Sequence, residues 1–267
     1  MDVNKTVHGL WIGNQLSFVE KLTIKSFLDK GFDFHLWLYN PLITSVPDKV
    51  NIRDAADIIP RHDVFNYKFR NQFGHGKGSF AGFSDIFRYK LLYEYGGWWT
   101  DMDVTCLKAP DFDDDYVFRT HHTLPLVGNI MKVPPRSDLM KACYEEASQK
   151  INEYNRDWHL PIQILADNVE KYGLSTYIKN FSNQDSWDVI RLMLRKDVDI
   201  PEHWYFIHWV NEEWRRNKIS KLRTIKGSTF DKLIEAHDIY HKKARNLRKL
   251  RLLFRLSLPG YIFNRYF

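Results

Sequence analysis

Cysteine is scarce in this chain. Its 267 residues hold two, Cys106 and Cys143, too few for a disulfide framework or a four-cysteine zinc site and in keeping with a reducing compartment. Long apolar runs are missing as well: no window approaches the roughly 18 consecutive apolar residues of a spanning helix. The opening Met-Asp-Val-Asn-Lys-Thr-Val has no cationic stretch leading into an apolar one, so no secretory signal is read there and a cytoplasmic protein is expected. Nor does any internal repeat suggest a solenoid. What is plentiful is apolar and aromatic surface, at 44% and 15% of residues. That is enough to bury a core and it excludes a disordered chain. One α/β domain with trimmings is expected at this length.

The net charge of +6 is uneven. Residues 241–267 carry eight Lys or Arg and no acid, leaving 31 basic against 33 acidic side chains elsewhere. A neutral body offers no cationic face for a polyanion, so nucleic acid is not an expected partner. The pattern from Ser228 to Leu258 predicts a long helix, with apolar or aromatic residues at 233, 234, 237, 240, 244, 247, 250 and 254, ended by Pro259-Gly260. Its basic residues alternate with leucines, and Tyr261, Phe263, Tyr266 and Phe267 follow. Such a helix suits an anionic membrane surface, each cation contributing about 1 kcal/mol near the lipid. The chain is accordingly divided into 1–227 and a basic amphipathic extension at 228–267, with a peripheral position at the inner face of the cell membrane expected.

Along the body, Val7 to Ile12 predicts a buried strand. Ser17 and Glu20 form a capping box for a helix to Gly31, and Phe34 to Tyr39 predicts a second strand. This β-α-β opening predicts an α/β fold with parallel strands. The polar stretch from Arg61 to Ser79 contains Gly74-His75-Gly76-Lys77-Gly78, which lacks the Lys-Ser/Thr step of a phosphate loop and reads as a mobile surface loop. Phe80 to Tyr95 is apolar on most faces and predicts a central helix closed by Gly96-Gly97. Strands are predicted at Trp98 to Met102, Tyr116 to Thr120, Leu126 to Val133 and Trp204 to Trp209, and helices at Ser137 to Tyr154 and Ile162 to Tyr172.

Two aspartates, Asp101 and Asp103, flank Met102 at the end of one of these strands. Residues i and i+2 of a strand share a side, and two anions held together favour a cation between them. Paired oxygen ligands suit Mg2+ or Mn2+, which complete their shells with substrate phosphates. Asp85 and Arg88 lie one turn apart on the preceding helix. A charged pair on so apolar a helix must be paired or face a polar cavity. Asp111 and Asp113 to Asp115 follow Pro110 in a polar run and read as a solvated loop, and His121-His122 reads as structural.

These residues resemble a known family, the DXD-containing retaining glycosyltransferases of the bacterial polysaccharide and yeast initiating mannosyltransferase type, with clostridial glucosylating toxins as distant relatives. The match runs through Ser84-Asp85-Ile86-Phe87-Arg88-Tyr89, then Gly96-Gly97-Trp98-Trp99-Thr100-Asp101-Met102-Asp103. The opening His8-Gly9-Leu10-Trp11-Ile12-Gly13 and the later Ile207-His208-Trp209 with Trp214 resemble further family elements. The resemblance implies a GT-A fold, a Rossmann-like nucleotide-sugar domain with a mixed central sheet, here with a helical C-terminal extension. It implies that Trp11 stacks on the nucleotide base with Ile12 beside it, that Asp85 and Arg88 bind donor-sugar hydroxyls, and that Asn129 approaches the donor sugar. Asp101 is implied to bind the ribose or a metal-bound water and Asp103 the metal, with Met102 between them at the donor and His208 a further metal or diphosphate ligand. Trp209 stands where the family has a second histidine, which leaves the third metal ligand open. His159-Leu160-Pro161 stands near the place of the family's Gly-Pro step.

The expected activity is metal-dependent, retaining transfer of a hexose from a nucleotide sugar, with a UDP-sugar favoured over GDP-mannose. The expected acceptor is a glycan or lipid-linked saccharide in surface polysaccharide synthesis. Asp101-Met102-Asp103-Val104-Thr105 also fits the opening motif of haloacid-dehalogenase-type phosphatases, although that motif belongs on a first strand. A non-catalytic lipid-associated module and a toxin-like effector that glycosylates a protein are further alternatives.

Overall fold

The computed structural model describes residues 2–240. Strand β1 (Thr6–Trp11) leads through α1 (Phe18–Asp29) to β2 (Asp33–Leu38) and β3 (Asn51–Asp54), and all three run parallel. Helix α2 (Ala81–Tyr95) returns the chain to β4 (Gly97–Thr100), parallel to β1 on its other side. Beyond β4 the sheet turns antiparallel through β7 (Val127–Val133) and β6 (Val117–Arg119), and β8 (Ile178–Lys179) closes it. The order β3-β2-β1-β4-β7-β6-β8 makes a seven-stranded mixed sheet, and β5 (Val104–Cys106) pairs antiparallel with β9 (Phe206–His208) in a second, two-stranded one. The expected α/β fold with a mixed central sheet is the observed one.

Side-chain alternation assigns the two faces. On β1, Leu10 joins a core cluster with Phe87 and Leu91 of α2, Met140 and Cys143 of α3 (Asp138–Lys150), and Leu165 of α4 (Leu160–Lys171). Val7 of the same strand joins the opposite cluster, with Ile24 and Phe27 of α1, Val104 of β5 and Phe206 of β9. A third cluster packs the amino-terminal half of α1 against α5 (Trp187–Arg195), Trp214 of α6 (Asn211–Arg216) and Phe230 and Ile234 of α7 (Thr229–Ala236).

Local chemistry explains most boundaries. The Ser17–Glu20 capping box starts α1, with Ser17 N–H donating to Glu20 Oε2 at 2.6 Å. Helix α2 ends at Gly96, and Gly96 and Gly97 take φ of 64° and 88°. A Cβ at Gly96 would lie 2.4 Å from the Pro135 nitrogen, so the helix passes into β4 through a turn that only glycine fits. Strand β4 stops at Thr100, leaving Asp101 to Asp103 as the link to β5.

The helix expected over 228–258 is α7, and it stops at Ala236. Asp238 takes φ 52°, its N–H donates to Glu235 O, and Ile239 N–H donates to Ile234 O, the two bonds of a Schellman closure. The basic stretch and the membrane contact expected of it lie in 241–267, outside the described residues. Among the described residues no helix is long and apolar enough to cross a membrane. The Arg61–Ser79 stretch is largely exposed, as expected of a loop. However, Tyr67 in it is buried, and Lys68 N–H and Gln72 N–H donate to Glu153 O (2.8 Å) and Arg156 O (3.1 Å). It forms a pinned wall rather than a free surface loop.

Candidate active site

Strands β2 and β4 flank β1 on opposite sides and are reached by connections on opposite faces, so the carboxyl ends of β1 and β4 open a crevice at a topological switch point, where α/β sheets bind ligands. A cleft of about 980 Å³ lies there. All the candidate donor and metal residues line it: Trp11, Ile12, Asp85, Arg88, Asp101, Met102, Asp103, Asn129 and His208. Trp11 sits half-buried at the end of β1, packed on one side against the core cluster of α1 and lining the cleft, its indole N–H donating to Gln15 O at 3.0 Å. Met102 is buried beneath the cleft floor and belongs to the core cluster of α1.

Helix α2 delivers a buried ion pair. Arg88 donates to Asp85 and to the carbonyl of Gly128, and its Nη1 lies 3.8 Å from Asp101 Oδ1. A Cβ at position 128 would stand 2.6 Å from that Nη1, so the glycine makes room for the guanidinium. Burial raises the Asp85 carboxyl to about 6, the charge of Arg88 opposing and that of Asp101 adding. Asp101 accepts from the Trp99 indole at 2.8 Å, and its N–H donates to Asn129 O at 2.7 Å. Burial and the neighbouring Asp103 charge raise Asp101 above the usual carboxylate range, with Arg88 opposing.

Asp103 has different company. Its Oδ2 accepts from Asn211 N–H at 2.6 Å and lies 3.2 Å from His208 Nε2. Burial works against its charge, but His208 and the Asn211 N–H hold it below the ordinary value. The Asn211 N–H is aimed by Val210 at φ 52°, a left-handed backbone in a β-branched residue. Such strain is stored where the surroundings enforce it, at about 1–3 kcal/mol. His208 sits opposite Val104 in the β5–β9 pair, and its Nδ1 lies 2.5 Å from Asp185 Oδ1. Burial opposes protonation of His208, but Asp185 and Asp103 prevail and raise it to about 10. His208 thus stands between two carboxylates, one at each ring nitrogen.

Asp185 is the residue the sequence reading missed. It stands in the polar run Asn183-Gln184-Asp185-Ser186, where Gln184 and Asp185 take φ of 51° and 63°. Burial opposes its charge, yet His208 and Arg119 keep it far below the carboxylate range. Arg119, fully buried on β6, donates to Asp185 Oδ2 at 3.1 Å and to Asn129 Oδ1 at 2.9 Å. Asn129 is thereby oriented with its buried Nδ2 without a partner, a donor left over beside the cleft. His121 and His122, read as structural, both line the cleft. His121 Nδ1 accepts from Leu124 N–H at 3.2 Å, and its Nε2 lies 3.5 Å from Asp185. Trp209 faces away into the core, its indole N–H donating to Thr105 Oγ1 at 2.7 Å, so no metal ligand comes from that position.

Among the described residues no three His, Cys, Asp or Glu side chains form a ready metal-binding group. The donor chemistry of the Asp103 carboxylate with the His208 imidazole nevertheless fits a divalent ion such as Mn2+ or Mg2+. Ligation of the ion by His208 Nε2 would require that nitrogen to be free of its proton, with Nδ1 still turned to Asp185.

Comparisons with known proteins find one family and several solved structures. Residues 20–120 match the family of the glycosyltransferase sugar-binding region containing the DXD motif. That segment, which holds Asp85, Arg88, Asp101 and Asp103, is what this chain shares with the family. Among solved structures, PaToxG Glycosyltransferase aligns at 15% identity over 64% of this chain and 69% of its own, with a TM-score of 0.44. A transferase mutant with two cysteines changed to serine aligns at 11% identity over 66% of this chain and 87% of its own, with a TM-score of 0.40. No curated protein matches by sequence.

Proposed function

We propose that the protein is a metal-dependent, retaining hexosyltransferase that uses a nucleotide sugar, with UDP-sugars favoured over GDP-mannose and a glycan or lipid-linked saccharide as acceptor in surface polysaccharide synthesis. The observation that carries this reading is the convergence of Trp11, the Asp85–Arg88 pair, Asp101, Asp103, Asn129 and His208 on one cleft at the switch point. Trp11 offers an aromatic face for the base. Asp85 and Arg88 hold donor-sugar hydroxyls, and the spare Asn129 Nδ2 donates to the same sugar. Asp103 and His208, with Asp101 beside them, would hold the divalent ion, which stabilises negative charge on the departing diphosphate.

In this reading the bond between the anomeric carbon and the diphosphate oxygen breaks while the acceptor hydroxyl attacks the same face, its proton passing to the leaving phosphate. The chain's own groups act by positioning, which supplies much of the catalysis in such reactions. The basic residues of 241–267 are assigned to anionic lipid, which brings a lipid-linked acceptor to the cleft.

Hydrolysis of a panel of nucleotide sugars, followed with Mn2+ present and after chelation, tests the activity. One sugar nucleotide is expected to turn over, chelation to abolish the turnover, and Asp103→Asn to reduce it by about 10²–10³-fold, the usual cost of removing a charge-stabilising group. No turnover of any donor, or turnover indifferent to chelator, refutes the reading. A chain ending at Tyr240 is expected to lose sedimentation with anionic vesicles while keeping donor hydrolysis. Undiminished sedimentation refutes the lipid assignment.

A further inference from the structure

The cleft has a second wall, apart from the residues assigned above to the donor. The 61–79 segment and the turn leading into α4 contribute Phe73, His75, Trp158 and His159 to its lining, with Glu212 and Arg215 of α6 also lining the cleft. The aromatic rings form a continuous group: Phe73 stacks on His75 at 6.0 Å and 18°, lies 5.1 Å from His159, and His75 meets Trp158 edge-on at 5.2 Å. Phe73 remains 53% exposed, which is unusual for a phenylalanine that is well held in place. It is held by Asn71, whose Oδ1 accepts from Phe73 N–H at 2.9 Å, and by Gln72, whose side chain joins Trp158 N–H and Asp157 Oδ1 at 2.8 Å each. Gly76, at φ 89°, lies so close over Trp158 that a Cβ would come within 2.9 Å of the indole. Polar groups edge this surface: Glu212 Oε1 lies 3.3 Å from His75 Nδ1 and accepts from Arg215 at 2.8 Å, while Arg215 Nη1 donates to Lys77 O at 2.8 Å.

We propose that this wall, centred on the exposed ring of Phe73, is the acceptor subsite and that it binds the pyranose ring of a saccharide. The proposal rests on the donor reading above and names the substrate class of that same cleft. A pyranose presents weakly positive axial C–H groups on one face, which meet the negative π face of an aromatic ring, and hydroxyls at its edge, which bond to carboxylate and guanidinium groups. An open aromatic face rimmed by Glu212 and Arg215 matches both. An aliphatic lipid chain would find no use for the charged rim, and a nucleotide base already has Trp11. The wall and the DXD acids line one cavity, so a sugar bound at the wall would share it with the donor.

Two measurements on the full chain separate this proposal from its parent. Saturation-transfer NMR with the methyl glycosides of glucose, galactose, mannose and N-acetylglucosamine reads the wall directly and needs no donor. The partition of the hydrolysed nucleotide sugar between water and glycoside reads its use. At least one glycoside is expected to show saturation on its ring C–H protons. Phe73→Leu is expected to weaken that glycoside about tenfold and to lower the transfer-to-hydrolysis ratio by a similar factor, with Phe73→Tyr restoring both. Thermal melts of the variants check that they fold. Absence of binding by all four glycosides, or Phe73→Leu binding within twofold of wild type, overturns the subsite even where donor hydrolysis persists. Failure of donor hydrolysis with intact glycoside binding sinks the donor reading instead. Phe73-dependent transfer to a serine-containing peptide, with no glycoside bound, replaces the saccharide with a protein acceptor.

Discussion

His8 is fully buried on β1, where its Nδ1 accepts from the Trp37 indole at 3.1 Å and its Nε2 has no partner. It meets the His35 ring at 5.2 Å. Burial, together with the nearby charges of His35 and Arg53, pushes His8 down to about 3, while the Gly96 backbone opposes. The unfolded chain therefore takes up a proton near the ordinary histidine value, and the folded one stays neutral to about 3. Between these limits the unfolded state binds more protons, so stability falls as the pH falls, by about 1.4 kcal/mol per pH unit. Urea unfolding at pH 7 and pH 5 is expected to show wild type losing about 2 kcal/mol more than His8→Gln; equal losses would refute the assignment. Arg119 gives a second test at this scale. It is fully buried between Ser182, Asn129 and Asp185, and Arg119→Leu leaves the buried Asp185 carboxylate to His208 and His121 alone. The expected cost is about 3 kcal/mol, partly recovered when Asp185→Asn removes the under-compensated charge. A double variant no more stable than the single one would show that Arg119 acts by packing alone.

Among the elements, the turn from α2 into β4 sets the register that carries Asp101 and Asp103 into the cleft. Gly96→Ala meets both a left-handed backbone and the Pro135 nitrogen at 2.4 Å, whereas Gly173→Ala, at φ 69°, meets nothing within 4 Å. The second substitution is expected to cost about 1 kcal/mol of strain and the first at least about 2 kcal/mol more. Each kcal/mol lowers Tm by about 2–4 °C in a domain of this size, so equal melting temperatures would remove the argument for the turn. Elements like this one were legible because their determinants are local: the Ser17–Glu20 box, the apolar α2 and its paired glycines all act within a few residues. Strand β3 was not legible, since Asn51, Ile52, Arg53 and Asp54 are all exposed on an edge and carry no alternation. The short β5 and β8 and helices α5 and α6 acquire their form from tertiary partners. The same distinction holds in the site. The DXD residues and the Asp85–Arg88 pair lie within one stretch of 19 residues, whereas Asp185 takes its role from Arg119, 66 positions away, and no spacing in the sequence marks it.

Across the whole molecule, the late helices back the chemistry from behind. Phe230 of α7 meets Trp209 at 4.9 Å and Trp214 at 5.4 Å, and Trp209 directly follows His208, the bridge between Asp103 and Asp185. Phe230 is buried to 1% exposure, so Phe230→Ala leaves a cavity expected to cost about 3–5 kcal/mol. Interiors are close-packed and pass strain along, so the space left under Trp209 is expected to loosen the β5–β9 pair that sets Val104 opposite His208. Met140→Ala supplies the contrast. Met140 is equally buried, but it lies in the cluster of α2, α3 and α4 on the other face of the sheet, and its truncation is expected to cost a comparable 2–5 kcal/mol. Calorimetric titration with UDP and Mn2+ at 15 °C, where both variants remain folded, discriminates the two. Phe230→Ala is expected to weaken nucleotide binding several-fold, and Met140→Ala to leave it within twofold of wild type. Equal affinities in both variants would mean that the aromatic cluster of α6 and α7 supports the fold without setting the geometry of His208.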